Sequence, residues 1–325
     1  MGNIDLPMDL AAGNYSLTAY TRLMRDLNPS FLFEKKIRVL GISENESSRI
    51  VESKIEVQFF PEGGELVSGI LNYVGFKVLK SDGSSVEVNG LIINEENDTI
   101  TNFQTAKHGL GEFPLIPEKG AIYHGVIDYE NSIYHFPLPR AKDKGHVLQI
   151  KSRKEKLDIL ITNNHGATTE NLFLLGHIRG FVFCAVPGTS DKQFLSLSIP
   201  YETIPTGIAH FTLFENELPI AERLAFNENP NDILSLDITL NKSVFKQRDS
   251  VKISLEIKSD STSFEAANVS ISISDPASEQ IQNIGNIRSF LWLESDLQGE
   301  IENADYYFDP LNEKRLEHLD LLLIT

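Results

Sequence analysis

The chain is poor in the residues that build disulfide frameworks, thiolate metal sites and membrane spans. It has 325 residues, one cysteine, one tryptophan and three methionines. The single cysteine, Cys184, excludes an intrachain disulfide and any site that needs a pair of cysteine ligands. It lies in the strand-like run RGFVFCAVPG, which favours a buried structural thiol. No apolar run reaches the roughly 18 residues that a membrane-spanning helix needs, so we expect no membrane insertion.

Positive charge is also scarce. The chain has 29 basic and 46 acidic residues, which gives a net charge of −17. Nucleic-acid binding depends on clustered Lys and Arg, so nucleic acid is an unfavourable partner. The clearest basic cluster, at 151–154, reads as a solvated turn between two strands.

Catalytic motifs are missing from the sequence. The stretch VQFFPEGGELVSG has adjacent glycines, Gly63 and Gly64, but it lacks the lysine of a Walker loop and the third glycine of a dinucleotide fingerprint. Pro61 followed by two glycines predicts a turn between strands. There is also no Gly-x-Ser-x-Gly nucleophile elbow. We therefore expect no enzyme activity and no catalytic residues.

The eight histidines are scattered and none forms a His-Glu-x-x-His pair. His124 and His135 have the spacing to face each other across a hairpin, and we interpret them as sheet-surface residues. The acidic runs NEENDT and KSDSTSFE lack the spacing of an EF-hand loop, and hairpin tips are the simpler interpretation. The sequence thus predicts no cofactor and no metal ligands, although calcium held between loops is not a pattern that one sequence can reveal.

Most of the chain has the alternating pattern of β-strands. Short runs rich in β-branched and aromatic residues are separated by Gly, Asp and Asn, as in KIEVQFF, HVLQIKS, KLDILIT and VKISLEI. This pattern is typical of sandwiches in which each sheet buries one face. The predicted fold class is all-β, with tandem Ig-like β-sandwiches and short helices near the C-terminus.

A repeat supports the tandem arrangement. In three places a proline is followed by a glycine and then by an alternating apolar strand, and the glycines are Gly13, Gly120 and Gly207. The interval is roughly 100 residues, the size of one Ig-like sandwich. We place a partial sandwich at 1–45, whole sandwiches at 46–145 and 146–235, and a truncated one with a helical end at 236–325.

The C-terminal region carries two helix predictions. In NIRSFLWLESDLQG one broad helical face carries five apolar residues before a stop at Gly299: Ile287, Phe290, Leu291, Leu293 and Leu297. In NEKRLEHLDLLLIT, Asn312 is the expected cap, and Leu316, Leu319 and Leu323 are spaced for one face.

The aromatic run ADYYFDP lies between these helices. Tyr306, Tyr307 and Phe308 are the candidate partner-contact residues, as a platform for a glycan or a contact for a protein. The interpretation that we favour is that they pack the segment between the two predicted helices onto a sandwich.

Several segments together resemble the macroglobulin-like domains of bacterial cell-envelope proteins. The segments are VQFFPEGGELVSGILNYVGFKV, HGLGEFPLIPEKGAIYHGVI, LPIAERLAF, SFLWLESDLQGEIENADYYFDP and NIDLPMDLAAGNYSLTAYTRLMRD. They are most similar to a group in which such sandwiches precede a TonB-dependent-receptor plug domain. The resemblance implies seven-stranded sandwiches and an extracytoplasmic location, in the periplasm or at the outer-membrane surface. The thioester run Gly-Cys-Gly-Glu-Gln of α2-macroglobulin-type protease traps has no match here, because Cys184 lies in Phe-Val-Phe-Cys-Ala-Val.

The sequence therefore favours a non-catalytic scaffold or interaction module within a larger envelope protein, linked to outer-membrane transport. We expect its partner to be another protein or a neighbouring domain of the same chain. Two alternatives stay open: a surface module that binds glycan or protein, and a protease inhibitor without a thioester. Both chain ends fall within apolar or strand-like sequence, so we expect this chain to be an internal piece of a longer protein.

Overall fold

The chain divides into two compact units, Met1–Ser53 and Lys54–Thr325. The computed structural model describes the residues of the following ranges: 13–22, 33–39, 54–166, 171–189, 194–229, 232, 235–258, 269, 271, 286–299 and 301–325. None of the helices in these ranges is long and apolar enough to cross a lipid bilayer.

In the first unit, strands β1 (Gly13–Ala19) and β2 (Phe33–Val39) form an antiparallel pair that aligns Gly13 with Val39. Two strands alone bury too little apolar surface for independent stability. That residues 1–45 complete a preceding sandwich stays a prediction.

The second unit contains two β-sandwiches that each have seven strands in the described residues. The strands of the first are β3 (Ile55–Pro61), β4 (Asn72–Lys80), β5 (Asn89–Ile93), β6 (Thr99–Gln104), β7 (Leu110–Leu115), β8 (His124–Tyr129) and β9 (Ser132–Pro137). The strands of the second are β10 (His146–Ser152), β11 (Lys156–Asn163), β12 (Asn171–Ile178), β13 (Phe181–Thr189), β14 (Phe194–Pro200), β15 (Gly207–Glu215) and β16 (Leu218–Asn227).

The two sandwiches have the same topology. In the first, a three-stranded sheet β3-β4-β7 packs on a four-stranded sheet β6-β5-β8-β9, and in the second β10-β11-β14 packs on β13-β12-β15-β16. The fourth strand of each sandwich pairs with the third strand, whereas in Ig constant domains it pairs with the fifth. The expected fold class of tandem Ig-like sandwiches with short C-terminal helices is confirmed.

Each sandwich has its own apolar core because inward-facing residues alternate with outward-facing ones. In the first core the rings of Phe59 and Phe103 meet edge to face with centroids 6.2 Å apart, and Phe76 and Phe113 pack beside them. The second core is mostly aliphatic, with Leu157, Ile159 and Ile161 alternating along β11. These two cores account for the alternating patterns of the strands in the two sandwiches.

The proline–glycine repeat marks the entry to the sixth strand of each sandwich. Gly120 lies just before β8 with a φ of 78°, and Gly207 begins β15 with a φ of 133°. Both values lie in the region that favours glycine. In the first sandwich the hydroxyl of Tyr123 accepts a hydrogen bond of 2.9 Å from the amide of Glu118, in the manner of the tyrosine corner of Ig-like domains.

The predicted domain boundaries stay a prediction. The strands show where the first sandwich ends and the second begins. The last strand of the first sandwich ends at Pro137, and the second sandwich begins at His146. After Asn227 come strands β17 (Ser235–Leu240) and β18 (Ile253–Lys258), which form an antiparallel pair. Most residues between 259 and 285 lie outside the described part of the chain.

The first C-terminal helix is shorter and wound differently from the prediction. Helix α1 (Ile287–Ser289) continues into a π-helical turn, Phe290–Glu294, with a hydrogen bond from the amide of Ser295 to the carbonyl of Phe290. The wider turn rotates the side chains away from α-helical positions. Leu293 is fully buried, whereas Ile287, Phe290 and Leu291 are exposed, so the predicted apolar face is corrected.

The second helix, α2 (Arg315–Ile324), begins later than expected and follows a 3₁₀ turn, Ala304–Phe308. The predicted cap, Asn312, accepts a hydrogen bond from the amide of Lys314 in the turn before the helix, so its assignment as the helix cap is wrong. Leu319 and Leu323 are buried as predicted, but Leu316 is exposed because only the later turns of α2 are covered.

Candidate functional site: the junction of the two sandwiches

The turn after β3 is the first component of a junction between the sandwiches. The amide of Gly64 donates to the carbonyl of Pro61, and the φ angles of Gly63 and Gly64 are 84° and 102°. This confirms the predicted turn. A Cβ added to Gly63 would lie 3.1 Å from the carbonyl oxygen of Leu148, because the turn presses directly on β10 of the second sandwich.

Glu62 in this turn points into the second sandwich. Its carboxylate accepts a hydrogen bond from the Arg223 Nε at 3.0 Å and another from the backbone amide of Ile150 at 3.1 Å. The residue is only 4% exposed. A buried carboxylate is stable only when its charge and lone pairs are satisfied, and here both partners come from the second sandwich.

Arg223 on β16 is the centre of the junction and is 2% exposed. Besides Glu62, its guanidinium donates to the carboxylate of Asp320 on α2 at 2.8 Å and to the backbone carbonyl of Leu224. All three guanidinium nitrogens are therefore engaged. One buried cation joins the first sandwich, the second sandwich and the C-terminal helix, and this arrangement is typical of a structural ion cluster rather than an anion-binding site.

Burial dominates the electrostatics of the cluster. Desolvation raises the pKa of Glu62 above its ordinary value, although the Arg223 guanidinium acts in the opposite direction. The pKa of Glu112 is also raised, by desolvation of its carboxyl and by the negative charges of Asp320 and Glu62, although the residue as a whole is exposed on β7. Desolvation opposes the charge of Arg223, but Asp320 and Glu62 outweigh it and raise the pKa of the guanidinium, which stays protonated.

Further ion pairs fasten the segment 286–325, which we call the C-terminal strap. The carboxylate of Glu228, just beyond β16, binds Arg288 and Arg315 of the strap. Arg179, in the turn after β12, binds the carboxylate of Asp296 at 3.0 Å. These pairs attach both halves of the strap to the second sandwich.

An apolar cluster beneath the strap contains the predicted contact residues. Tyr307 and Phe308 are buried, 1% and 4% exposed, and pack with Leu293 and with Phe226 of β16. These two residues pack the strap onto the second sandwich, as the favoured interpretation of the aromatic run expects. Burial also raises the pKa of the Tyr307 hydroxyl above its ordinary value.

Tyr306 connects the strap to the first sandwich. Its hydroxyl is 2.5 Å from the Nδ1 of His318 on α2, and its ring meets that of His108, which precedes β7, edge to face with centroids 5.1 Å apart. Desolvation lowers the pKa of His108, partly offset by Glu302 at 3.6 Å, and desolvation also lowers the pKa of His318. Both imidazoles are therefore disposed to stay neutral in the folded protein.

The other residues singled out in the sequence lie away from the junction. His124 pairs with Pro137 and His135 with Val126, so the two histidines are diagonal neighbours on one face of the β8–β9 pair. His124 is half-buried and His135 is exposed. Cys184 on β13 is half-buried rather than fully buried, and desolvation raises the pKa of its thiol.

Sequence reasoning missed Glu62, Arg223 and Asp320. Two of them carried a signal, since Glu62 interrupts an apolar run before the glycine pair and Arg223 interrupts the alternation of β16. A charge at an inward position of a strand predicts a buried partner. The sequence does not say which partner, because the three residues are far apart along the chain.

Comparisons with known proteins return fold-level likenesses alone. No protein-family model matches the chain, and no curated protein does. Among solved structures, the chain is similar to the native conformation of E. coli alpha-2-macroglobulin, with 16% identity, 61% of this chain and 16% of that chain covered, and a TM-score of 0.19.

Two further structures are a biofilm-associated protein BSP domain and a DUF3823 family protein from Parabacteroides merdae. The first has 12% identity and a TM-score of 0.26 over 55% of this chain and 30% of that one. The second has 9% identity and a TM-score of 0.20 over 55% of this chain and 100% of that one. The chain spans less than a third of the first two structures.

Replacing Arg223 by Met tests the ion cluster. The apolar side chain leaves the Glu62 and Asp320 carboxylates without their cation, so we expect the free energy of unfolding to fall by about 3–5 kcal/mol. The double variant Arg223→Met/Glu62→Gln should recover part of this loss, because a neutral amide still accepts from the amide of Ile150. Urea denaturation measures each value.

The matched control is Arg153→Met, which removes an exposed ion pair with Asp158. An exposed pair of this kind contributes about 0–1 kcal/mol. If Arg223→Met were no more destabilising than Arg153→Met, the cluster would have no structural role.

Acidification should loosen the strap through His108 and His318. Burial holds the pKa values of both histidines below the ordinary value of about 6.5. As the pH falls past that value, the unfolded state therefore binds more protons than the folded state, and the free energy of unfolding decreases. Glu62 and Glu112 have raised pKa values and act in the opposite direction, so the effect is read as a difference from His108→Gln/His318→Gln. The single tryptophan, Trp292, lies in the strap and reports its release by fluorescence.

The measurement is urea denaturation at about pH 7.5 and about pH 5.5, on either side of the ordinary histidine pKa. The wild-type protein should lose more stability between these values than the double variant does. Leu316→Ala, at an exposed position of α2, should behave like the wild type. An equal pH dependence in the wild type and the histidine double variant would contradict the assignment.

Proposed function

We propose that this chain is a non-catalytic scaffold module that holds two β-sandwiches and its C-terminal strap in one fixed arrangement. The observation that carries the proposal is the buried Glu62–Arg223–Asp320 cluster. Domains of one chain move relative to each other by default unless their interface is large and well packed. A cation buried between carboxylates from separate elements opposes such motion, because separating them would leave charges uncompensated.

The connection between the sandwiches supports this function. The side-chain amide of Asn164 donates to the carbonyls of Ser68 and Asp143 at 2.8 Å each, and Val67 forms a bridge with Lys142. The side-chain amide of Gln149 donates to the backbone carbonyl of Leu71. Residues of both sandwiches are thus bonded to each other and to the linker between Pro137 and His146, which supports a linker that does not act as a hinge.

The strap also contributes to the proposed scaffold function, because it contacts both sandwiches. A Cβ added to Gly75 on β4 would clash with Ile324, so the end of α2 lies directly on the first sandwich, while the rest of the strap lies on the second. Whatever is joined to the end of α2 would keep a fixed orientation to both sandwiches. An element that couples two modules needs such a fixed orientation, because a flexible connection would not transmit the movement of one module to the other.

We further propose an extracytoplasmic location, as a macroglobulin-like part of a larger bacterial envelope protein that is linked to outer-membrane transport through a neighbouring plug domain. The support is the sequence resemblance, and the net charge of −17 suits a solvent-exposed module. Recovery of the native protein in the cytosolic fraction of its source cells would contradict this part.

The alternatives have less support. The glycan- or protein-binding alternative has the aromatic run or exposed loops as its contact, and two of the aromatic residues, Tyr307 and Phe308, are buried. Protease trapping rested on the resemblance alone, and the thioester run has no match. A neighbouring domain is the partner that the fixed strap favours.

Distance measurement between spin labels tests the proposal. In a Cys184→Ser background, labels at exposed positions Asn102 on β6 and Ser196 on β14 report the separation of the two sandwiches. We expect one narrow distance distribution, which Arg223→Met broadens and the control Arg153→Met leaves unchanged. A broad distribution in the parent protein would show a flexible linker and overturn the scaffold function.

A further inference from the structure

Two histidines and a glutamate meet at one end of the second sandwich, outside the ion cluster. His146 is the first residue of β10, His165 follows the end of β11, and Glu215 is the last residue of β15. One potential ligand atom from each of the three lies within 4.8 Å of those of the other two. Their scattered positions in the sequence gave no metal-binding pattern, and the antiparallel sheets bring them together.

The geometry is close to that of a coordination site. The Nδ1 of His146 is 3.6 Å from the Oε1 of Glu215. The rings of His146 and His165 are nearly perpendicular, at 87°, with centroids 4.9 Å apart. In a tetrahedral zinc site with bonds of about 2.0–2.1 Å the ligand atoms are about 3.4 Å from each other. Small rotations of these side chains would therefore bring the three ligand atoms to the separations found in a zinc site.

The backbone holds the ligands in place without a metal. His146 is paired with Asn163 in the β10–β11 ladder, and the amide of the preceding Gly145 donates to the side chain of Asn164 at 3.1 Å. The His146 side chain is only 3% exposed and that of Glu215 is 26% exposed. The site is thus rigid on one side and open to solvent on the other, which lets an ion enter.

We propose that His146, His165 and Glu215 bind one divalent transition-metal ion of the Zn²⁺ class, with water at the remaining position. Two imidazoles and one carboxylate suit Zn²⁺, whereas Ca²⁺ and Mg²⁺ prefer all-oxygen sites. The ion joins the start of β10, directly after the inter-sandwich linker, to the ends of β11 and β15. The site is independent of the proposed scaffold function.

Metal titration tests the site. The full chain, stripped with EDTA, is titrated with ZnCl₂ by calorimetry, and Co²⁺ is used as a spectroscopic probe of the ligand field. We expect one equivalent of Zn²⁺ to bind and to raise the melting temperature, and Co²⁺ to give the visible bands of a four- or five-coordinate site. His165→Gln and Glu215→Gln should each weaken binding by more than about 100-fold, because even indirect ligand contacts change metal affinity by about 10–100-fold.

The control is His135→Gln, which removes a histidine of the first sandwich and should leave Zn²⁺ binding unchanged. Circular dichroism of the metal-free variants shows that they are folded, so that loss of binding is not loss of structure. The proposal is overturned if the wild type binds no Zn²⁺, if both ligand variants bind it as the wild type does, or if His135→Gln abolishes binding equally.

Discussion

The arrangement of the second unit depends on the burial of one arginine. A guanidinium that is removed from water needs negative charge and hydrogen-bond acceptors on every side, and no single element of this fold supplies them. Arg223 obtains them from the turn after β3, from its own strand and from α2. The orientation of the two sandwiches and the position of the strap therefore both depend on the need to neutralise the buried guanidinium of Arg223.

The cluster specifies the arrangement more than it stabilises it. Buried ion pairs often contribute little net stability, since desolvation offsets their attraction. The favourable free energy comes from apolar burial beneath the strap, where Leu293, Tyr307, Phe308 and Leu319 pack on Ile208 of β15. At roughly 25 cal/mol per Å² of apolar surface, such a contact is strong but non-directional. The charged side chains of the cluster then determine which of the many possible apolar contacts is formed.

The strap contacts both of the sandwiches that precede it. Its described residues pack on them through Glu228, Arg179 and the end of α2 on β4. His318 of the strap and His108 of the first sandwich both contact Tyr306, so titratable groups from two separate elements lie in this contact.

The sequence by itself determined the all-β class, the turn at Pro61–Gly64, the sandwich repeat marked by Gly120 and Gly207, and the two C-terminal helical segments. These features follow from local rules of periodicity and turn conformation. Only the tertiary structure decided that Tyr307 and Phe308 are buried, that Leu293 lies buried in a π-helical turn, and that Glu62, Arg223 and Asp320 meet. The physical reason is that contacts between distant residues depend on how sheets and helices pack, and no local pattern records which buried charge will neutralise which.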